Sequence, residues 1–383
     1  MRFSGRSILA ALLVVGALGY VWDRSHRSLA AVVPPPDTAT EGALRGFAEL
    51  WPIDVHTHVF KTDPAFQAFL GRMRLTLLDI LVVDDTVAYS QKLEPERTDA
   101  LGVVRRSGGH VALCTTFDPY RWTNRDFAEQ AIKQINEDFA QGAVAVKLWK
   151  NLGMEIRRAD GAFLMPDDPI LEPIYKDVAE HNRTIVTHLA DPDSCWEPLN
   201  PDDPSYLGIL RRRTAHYYQQ NPRWYMYNHP DYPSKQAILA ARDHLLEMNP
   251  HLRVVGAHLG SMETDVDEIA KRLDTYPNFA VESGGRTFYL MLQPREKVRA
   301  FLIKYQDRIL YGTDRQLFVT ANVQEILKDW ETIYARDWRF FATDETFQEE
   351  GQQVRGVKLP GSVLAKIFHQ NALRWIPGIV AEH

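Results

Sequence analysis

The sequence predicts an α/β protein built around a (β/α)8 barrel of the TIM type. Eight short apolar runs rich in β-branched residues recur along the chain, and helical patterns fill most of the intervals between them. Strands that alternate with helices pair in parallel and are buried on both faces. A doubly wound open sheet is the alternative, but no glycine-rich phosphate loop follows the first run. A length of 383 residues suits one large barrel.

The predicted elements follow one another in the order that a barrel requires. Apolar residues three and four apart predict helices, and the interval before residue 110 has no clear helical pattern. About 60 residues separate the fifth run from the sixth, which predicts a long insert after strand 5. The predicted strands are 51–56, 77–83, 110–117, 143–149, 184–189, 252–260, 279–284 and 308–314, and the predicted helices are 125–141, 173–182, 264–276 and 294–305.

The N-terminal residues are predicted to lie outside the barrel. Arg2 and Arg6 precede an apolar run over residues 8–22, which is the layout of a signal peptide or signal anchor. The run is shorter than the roughly 20 residues that a spanning helix needs. A proline-rich stretch follows and indicates a linker. We therefore divide the chain into a signal segment (1–30), a linker (31–47) and the barrel domain (48–383). We expect a periplasmic or secreted protein, released or tethered by residues 8–22.

Composition excludes several classes of function. The net charge is −6 and the pI is near 6.1, so the chain offers no basic surface for nucleic acid. The two cysteines, Cys114 and Cys195, make neither a disulfide framework nor a zinc–thiolate site. We expect a small-molecule substrate as the main partner.

Six polar residues lie at the ends of predicted strands, where a barrel places its active site. His56 and His58 alternate along the first strand, so their side chains share one side. Imidazole and carboxylate groups are ligands for zinc and other divalent metals. Each residue alone could be structural, and an aspartate there could cap a helix. Their joint order along the chain is what predicts a metal centre: His56, His58, Lys147, His188, His258 and Asp314.

Such a centre predicts a reaction that uses activated water. A divalent metal lowers the pKa of a bound water towards neutrality. Asp314 would take up the proton and return it to the leaving group. If His258 is not a metal ligand, it would polarise the substrate carbonyl or stabilise an oxyanion.

The phrases around these residues resemble the amidohydrolase superfamily from about residue 50 to residue 378. "DVHTH", "THLADP", "GAHLGS", "RILYGTD" and "KIFHQNALRWI" look like the branch related to aminocarboxymuconate-semialdehyde decarboxylase. The resemblance implies a distorted (β/α)8 barrel with one or two divalent metals and makes a homodimer plausible. It implies His56, His58, His188 and Asp314 as metal ligands. His258 would bind a second metal or act in catalysis.

Lys147 decides between one metal and two. Binuclear members of the superfamily bridge two metals with a carboxylated lysine at the end of strand 4, and Lys147 occupies about that place. The branch that the chain resembles usually works with one metal. The metal itself is expected to be Zn²⁺, with Mn²⁺, Fe²⁺ and Co²⁺ as alternatives.

The expected activity is metal-dependent hydrolysis of an amide, ester or lactone. Non-oxidative decarboxylation of a small aromatic or unsaturated acid is the alternative, and a non-catalytic metal-binding surface protein is a third class. Trp149 and Lys150 after strand 4, and Arg286 after strand 7, are predicted substrate contacts, and the cations would suit an anionic substrate. They could instead be solvated charges. The aromatic insert is interpreted as a lid or as packing against the rim, with His216 and His229 structural.

Overall fold

The structure, a computed structural model, describes residues 38–84, 93–198, 206–318 and 321–380. Nine parallel strands of this part form one sheet in which each strand up to β8 neighbours its predecessor, in the order β8-β7-β6-β5-β4-β3-β2-β1-β9. The strands are β1 (Ile53–Val59), β2 (Thr76–Ile80), β3 (Val111–Thr115), β4 (Ala143–Leu148), β5 (Thr184–Thr187), β6 (Arg253–Gly256), β7 (Phe279–Glu282), β8 (Ile309–Leu310) and β9 (Arg315–Leu317).

The sheet closes on itself between its first and eighth strands. The amide of Val55 donates to the carbonyl of Tyr311 (3.0 Å), and the amide of Asp314 donates to the carbonyl of His56 (2.7 Å). β9 continues this segment alongside β1. The predicted (β/α)8 barrel is therefore confirmed, and all eight predicted strands are present.

Helices lie between the strands, and the four predicted ones are present with ends within two residues of the predicted bounds. Two turns of helical hydrogen bonding, Asn151–Met154 and Ala257–Gly260, contain non-helical backbone angles. The helices are α1 (Thr38–Glu49), α2 (Pro64–Met73), α3 (Leu93–Arg106), α4 (Phe127–Ala140), α5 (Glu172–Glu180), α6 (Tyr206–Gln220), α7 (Lys235–Met248), α8 (Val266–Thr275), α9 (Thr287–Leu292), α10 (Arg295–Lys304), α11 (Val323–Ala342), α12 (Gly361–Ala365) and α13 (Asn371–Trp375).

The linker expected over residues 31–47 is wrong for its second part. Residues 38–47 belong to α1, and this helix packs on the barrel through Phe47, which is fully buried. Its ring stacks on Tyr334 of α11 with centroids 4.7 Å apart, so aromatic packing binds α1 to the barrel. Residues 31–37 and the predicted signal segment lie outside the described residues. Among the described helices none is long and apolar enough to cross a membrane.

Apolar side chains fill the barrel beneath its catalytic end. Inward-facing residues of the strands, among them Val55, Ile80 and Val186, pack in one cluster with Trp375 and Ile376. The indole of Trp375 donates to the carbonyl of Asp307 (2.9 Å). The polar residues at the other end of the strands thus rest on an apolar layer.

The insert after β5 lies over the loops that follow other strands. From α6, Thr214 contacts Ser194 after β5 (2.7 Å), and Tyr217 accepts a hydrogen bond from Lys150 after β4 (3.1 Å). Arg213 lies over the ring of Phe288 in α9, with its guanidinium carbon 4.8 Å from the centroid. Contacts to the loops after β4 and β7 place the insert over this end of the barrel.

Candidate metal centre

Four histidines meet at the C-terminal end of the barrel in one continuous row. Ring centroids are 5.4 Å apart for His58 and His56, 4.7 Å for His56 and His258, and 4.2 Å for His258 and His188. β1 contributes two of them, and the others follow β5 and β6 directly. The structure therefore brings together the histidines that the sequence singles out.

In each of the two histidines of β1, one ring nitrogen is hydrogen-bonded on the side that faces away from the centre. Nδ1 of His56 lies 2.8 Å from the Glu282 carboxylate, and Nδ1 of His58 lies 2.7 Å from the carbonyl oxygen of Ile80. Because both partners accept hydrogen bonds, Nδ1 carries the proton in each ring. Nε2 therefore presents a lone pair, and such outer partners are typical of metal-ligating histidines.

Asp314 faces these two lone pairs. Its Oδ1 lies 3.3 Å from Nε2 of His58 and 3.6 Å from Nε2 of His56. Burial raises the pKa of Asp314, but the neighbouring histidines oppose this and hold the pKa well below its usual range. The residue has a left-handed backbone conformation, φ 60°, which is uncommon for aspartate and turns its side chain back over the end of β1.

His188 and His258 form a second pair of facing acceptors. Nδ1 of His258 donates to the carbonyl of Gly284 (2.7 Å), so its Nε2 accepts. Burial lowers the pKa of His188 to about 3, and the neutral ring donates from Nε2 to Asp191 (3.1 Å). Nδ1 of His188 then faces Nε2 of His258 at 3.1 Å with no proton between them.

The donor set fits a divalent metal. Every atom that these side chains turn to the centre is an imidazole lone pair or a carboxylate oxygen, and lone pairs held 3.1–3.6 Å apart repel unless a cation lies between them. His56, His58 and Asp314 offer ligand atoms within 4.8 Å of one another, as does the group of His56, His258 and Glu282.

Glu282, the last residue of β7, was missed by the sequence reasoning. It is fully buried, and its Oε1 accepts from Nδ1 of His56 and from the backbone amide of His258 (2.8 Å each). Its Oε2 accepts from the amide of Gly284. Burial raises its pKa, but these donors outweigh burial and the net shift is downward. Glu282 thus orients two histidines. Its place at a strand end, like that of the residues singled out, was the signal that could have found it.

Asp54, also missed, joins the two strand ends that carry the predicted metal ligands His56, His58 and Asp314. Its carboxylate accepts from the amides of His56 (3.1 Å) and Thr313 (3.0 Å) and from the hydroxyl of Tyr334 (2.9 Å). Burial raises the pKa of Asp54 to about 7, against the effect of these hydrogen bonds. It holds β1 and the loop before Asp314 in register.

The predicted sixth strand ends earlier than expected, and a left-handed turn replaces its last residues. β6 stops at Gly256, and positive φ angles follow at His258 (57°), Leu259 (57°), Gly260 (65°) and Ser261 (59°). A left-handed conformation costs roughly 1–2 kcal/mol per non-glycine residue. The turn is held because Glu282 accepts from the His258 amide and Arg242 donates to the Gly260 carbonyl (2.7 Å). It aims the His258 ring at His188.

Lys147 points into the barrel interior without a hydrogen-bond partner for Nζ among the described residues. It is 1% exposed, and burial lowers its pKa, which favours the neutral amine. Lys147 lines a cavity of about 10 Å³ together with Thr116 and Trp149, room for roughly one water. A neutral amine is the form that carboxylation requires. Its part in binding a metal stays a prediction.

Lys150 has a partner that the sequence did not suggest. It is 3% exposed, and its ammonium lies 2.7 Å from Asp191, the carboxylate that holds His188. Trp149, Tyr217 and Trp224 surround it, with ring centroids 4.7–5.8 Å from Nζ. The expected substrate contacts at Trp149 and Lys150 stay predictions. In the structure both belong to the packing that fixes Asp191.

Arg286 lies at the edge of the metal centre. The backbone before it passes close to Asp314, since a Cβ placed on Gly285 would be 3.4 Å from Oδ2. Its Nη1 donates to the carbonyl of Gly285 (3.2 Å), and its Nε is buried without a partner among the described residues. The expected substrate contact at Arg286 stays a prediction.

A family model described as an amidohydrolase matches residues 53–377. The chain belongs to the amidohydrolase family. The match begins with the first residue of β1 and ends two residues after α13, so it covers the whole barrel of this amidohydrolase. The resemblance read from the sequence is confirmed, and enzymes of this family use divalent metals.

Solved structures similar to this amidohydrolase include an uncharacterized TIM-barrel protein of Bordetella bronchiseptica, with 14% identity over 86% of this chain and 99% of that one (TM-score 0.47). They also include 2,6-dihydroxybenzoate decarboxylase from Rhizobium (13%, 85% and 98%, TM-score 0.49). A third is 4-oxalomesaconate hydratase from Rhodopseudomonas palustris (12%, 86% and 96%, TM-score 0.47). At such identities and scores these likenesses carry no statement about activity. A comparison with curated proteins returned no match.

Proposed function

We propose that this amidohydrolase hydrolyses an amide, ester or lactone bond of a small molecule at a metal centre formed by His56, His58, His188 and Asp314. One observation carries the proposal. The ring nitrogens of these histidines and the Asp314 carboxylate face one another as acceptors, and their protons are held on the outer side by Glu282, Asp191 and a backbone carbonyl.

The residues of the chain divide the chemistry among them. A bound divalent metal supplies a Lewis acid and lowers the pKa of a water molecule towards neutrality. The Asp314 carboxylate, next to both Nε2 atoms of β1, accepts the proton of the attacking water and returns it to the leaving group. The insert contacts Lys150 beside the centre, while the Asp314 side chain keeps 30% of its surface open to solvent.

His258 takes a narrower role in this proposal than the sequence suggested. Its Nδ1 proton is committed to the carbonyl of Gly284, and burial lowers its pKa well below the ordinary value. The neutral ring therefore presents a lone pair at Nε2 and has no proton there to donate to an oxyanion. We assign His258 as a proton acceptor or as a ligand to a second metal.

Non-oxidative decarboxylation is the second candidate, and the closed aromatic surroundings favour it. Trp149, Tyr217 and Trp224 surround Lys150, which is paired with Asp191 next to the centre. His56 and His258 are nearly inaccessible. A site of this kind suits an aromatic acid whose reaction needs no water. Asp314, which is ionised at rest, would then take up a proton from solvent and pass it to the carbon from which carbon dioxide departs.

Product analysis separates the two reactions. The purified protein, loaded with Zn²⁺ or Mn²⁺, is incubated with esters, lactones, amides and hydroxybenzoates while free acid and carbon dioxide are measured. We expect release of free acid without carbon dioxide. Carbon dioxide release without hydrolysis would reject hydrolysis in favour of decarboxylation, and a fully metal-loaded protein inactive on the whole panel would support a non-catalytic role.

The histidine after β5 provides a matched test of the metal centre. We expect His188→Ala to lose bound metal and activity together, because it removes one ligand. His181→Ala, which changes an exposed histidine beyond α5 of the same barrel unit, should keep both. Metal content is measured by atomic emission after dialysis. Unchanged metal content in His188→Ala would show that the ligands are misassigned.

We also propose that the protein works outside the cytoplasm, from the signal-like sequence of residues 1–30. N-terminal sequencing of protein recovered from cell fractions tests this. Recovery of the intact N-terminus from the cytoplasm would contradict it.

A further inference from the structure

A second set of polar side chains, not used by the metal centre, lies beside it. Glu263 is fully buried, and neither of its carboxylate oxygens has a hydrogen-bond partner among the described residues. The hydroxyl of Tyr289 (1% exposed) and Nε of Arg286 are buried and likewise without partners in the described part of the chain. Buried polar atoms are nearly always hydrogen-bonded to protein, water or a ligand. Four such atoms in three neighbouring residues are therefore unusual.

The fold places these three residues together. The side chain of Gln293 donates from Nε2 to the backbone carbonyls of Glu263 (2.9 Å) and Tyr289 (3.3 Å), which joins the loop after β6 to α9. The guanidinium carbon of Arg286 lies 5.4 Å from the centroid of the Tyr289 ring. Glu263 and Arg286 interact electrostatically, and each shifts the other's titration.

The same set adjoins the metal centre. Glu263 follows His258 by five residues, on the loop that begins with the left-handed turn. Arg286 follows Gly285, whose backbone passes beside Asp314, and its charge acts on both Asp314 and His258. The set therefore borders the metal centre through Arg286.

We propose that Glu263, Arg286 and Tyr289 form a subsite that binds a neutral hydroxyl group of the substrate. The hydroxyl donates its proton to the Glu263 carboxylate and accepts a hydrogen bond from Nε of Arg286 or from the Tyr289 hydroxyl. In the free enzyme, water satisfies the same atoms, and the substrate hydroxyl replaces it. The inference rests on the proposed function only in requiring a small molecule at the metal centre.

The charges of the subsite select a neutral group over an ion. A second carboxylate on the substrate would lie against Glu263, and an ammonium would lie against Arg286. The nearby Lys235 adds a positive charge that it shares with Asp193, its partner at 2.8 Å. Burial raises the pKa of the Glu263 carboxyl, although the positive charges of Lys235 and Arg286 oppose this shift. A hydroxyl matches both partners because it donates and accepts at once.

Calorimetric binding to the metal-loaded, full-length protein tests the subsite. The probes are benzoate, 3-hydroxybenzoate and 4-hydroxybenzoate, which share one carboxylate and differ only in a hydroxyl. We expect at least one hydroxylated probe to bind about tenfold or more tightly than benzoate. Tyr289→Phe and Glu263→Gln should each reduce that preference several-fold and change benzoate affinity by less than about twofold.

Tyr276→Phe is the matched control, since it removes a hydroxyl that contacts Glu247 on the surface. It should keep the wild-type preference. Tyr289→Phe removes only a hydroxyl, so it tests the subsite even if Glu263→Gln does not fold.

The inference is overturned if no hydroxylated probe is preferred, or if both variants keep the preference. Its failure and that of the proposed function are distinguishable. Turnover of the substrate panel with an unchanged preference in both variants rejects the subsite and leaves the function standing. If the variants lose the preference for the hydroxylated probe while the wild type turns over no compound of the panel, the subsite is supported and the proposed function is rejected.

Discussion

The position of single protons decides what the metal centre can do. In each of the four histidines the proton lies on the nitrogen that faces a carboxylate or a backbone carbonyl, and the other nitrogen faces the centre. Such outer contacts set the tautomer and the basicity of a ligand. Glu282 orients more of the centre than any other outer partner described, because it accepts hydrogen bonds from both the ring of His56 and the backbone amide of His258.

Glu282→Gln should weaken metal binding about 10- to 100-fold. The amide offers one acceptor in place of two and turns a donor towards a backbone amide that also donates. Metal affinity is measured by competition with a chelator. Glu331→Gln, which changes a half-buried carboxylate of α11 paired with Arg72, should leave the affinity unaltered. Equal affinity in wild type and Glu282→Gln would mean that Glu282 does not orient the ligands.

At the scale of elements, the turns after the strands decide where the ligands point. Three loops at the catalytic end contain non-glycine residues with positive φ: Ala190 after β5, His258 after β6 and Asp314 after β8. The loops after β7 and β8 also depend on the absence of side chains at two glycines. A Cβ on Gly284 or Gly312 would collide with the Glu282 carboxylate, which occupies the space that these glycines leave.

Gly284→Ala should lower both metal affinity and activity by about tenfold or more while the fold persists. The added Cβ would lie 2.7 Å from Oε2 of Glu282 and 2.9 Å from Nδ1 of His56, so the carboxylate and the ring must move apart. Gly71→Ala, in α2, meets no atom within 4 Å and should leave activity intact with equal or greater stability. Circular dichroism and metal titration of both variants make the comparison. Wild-type metal binding in Gly284→Ala would show that the contact is not critical.

At the scale of the whole molecule, burial of carboxyl groups links stability to pH. Asp79 of β2 is fully buried. One oxygen accepts from the amide of Val59 (2.7 Å), and the other has no partner among the described residues. Burial raises its pKa from the ordinary 3.8 to about 8. The folded state therefore binds this proton more tightly than the unfolded state, and the stability that this contributes is lost as the pH rises towards 8.

Asp79→Asn should remove that part of the pH dependence. Between pH 5 and 8 the free energy of unfolding of the wild type should fall relative to the variant, by up to about 1.4 kcal/mol per pH unit. Denaturant titrations at pH 5, 6, 7 and 8 measure it. Asp160→Asn, at an exposed turn, should follow the wild type. Parallel curves for wild type and Asp79→Asn would contradict the assignment.

The sequence by itself determined the barrel and singled out most residues of the candidate metal centre. Strand runs and helix patterns are local features, since each depends on the spacing of apolar residues within about ten positions. Parallel strands bring their carboxyl ends to one edge, so His56, His58, His188, His258 and Asp314 could be placed near one another from their positions alone. The start of the folded domain was harder to predict from the sequence, because the helical pattern of α1 follows directly on a proline-rich stretch.

Only the tertiary structure decided how those residues are used. Glu282 and His56 are 226 positions apart, and Lys150 and Asp191 are 41 apart, so no local pattern pairs them. Contacts between different strand-end loops likewise set the position of the proton on His258 and the left-handed turn at that residue. Such contacts also bring Glu263 and Tyr289 close to Arg286. The physical reason is the same throughout: side-chain type and spacing select a strand end, whereas orientation and protonation depend on partners that folding brings from elsewhere in the chain.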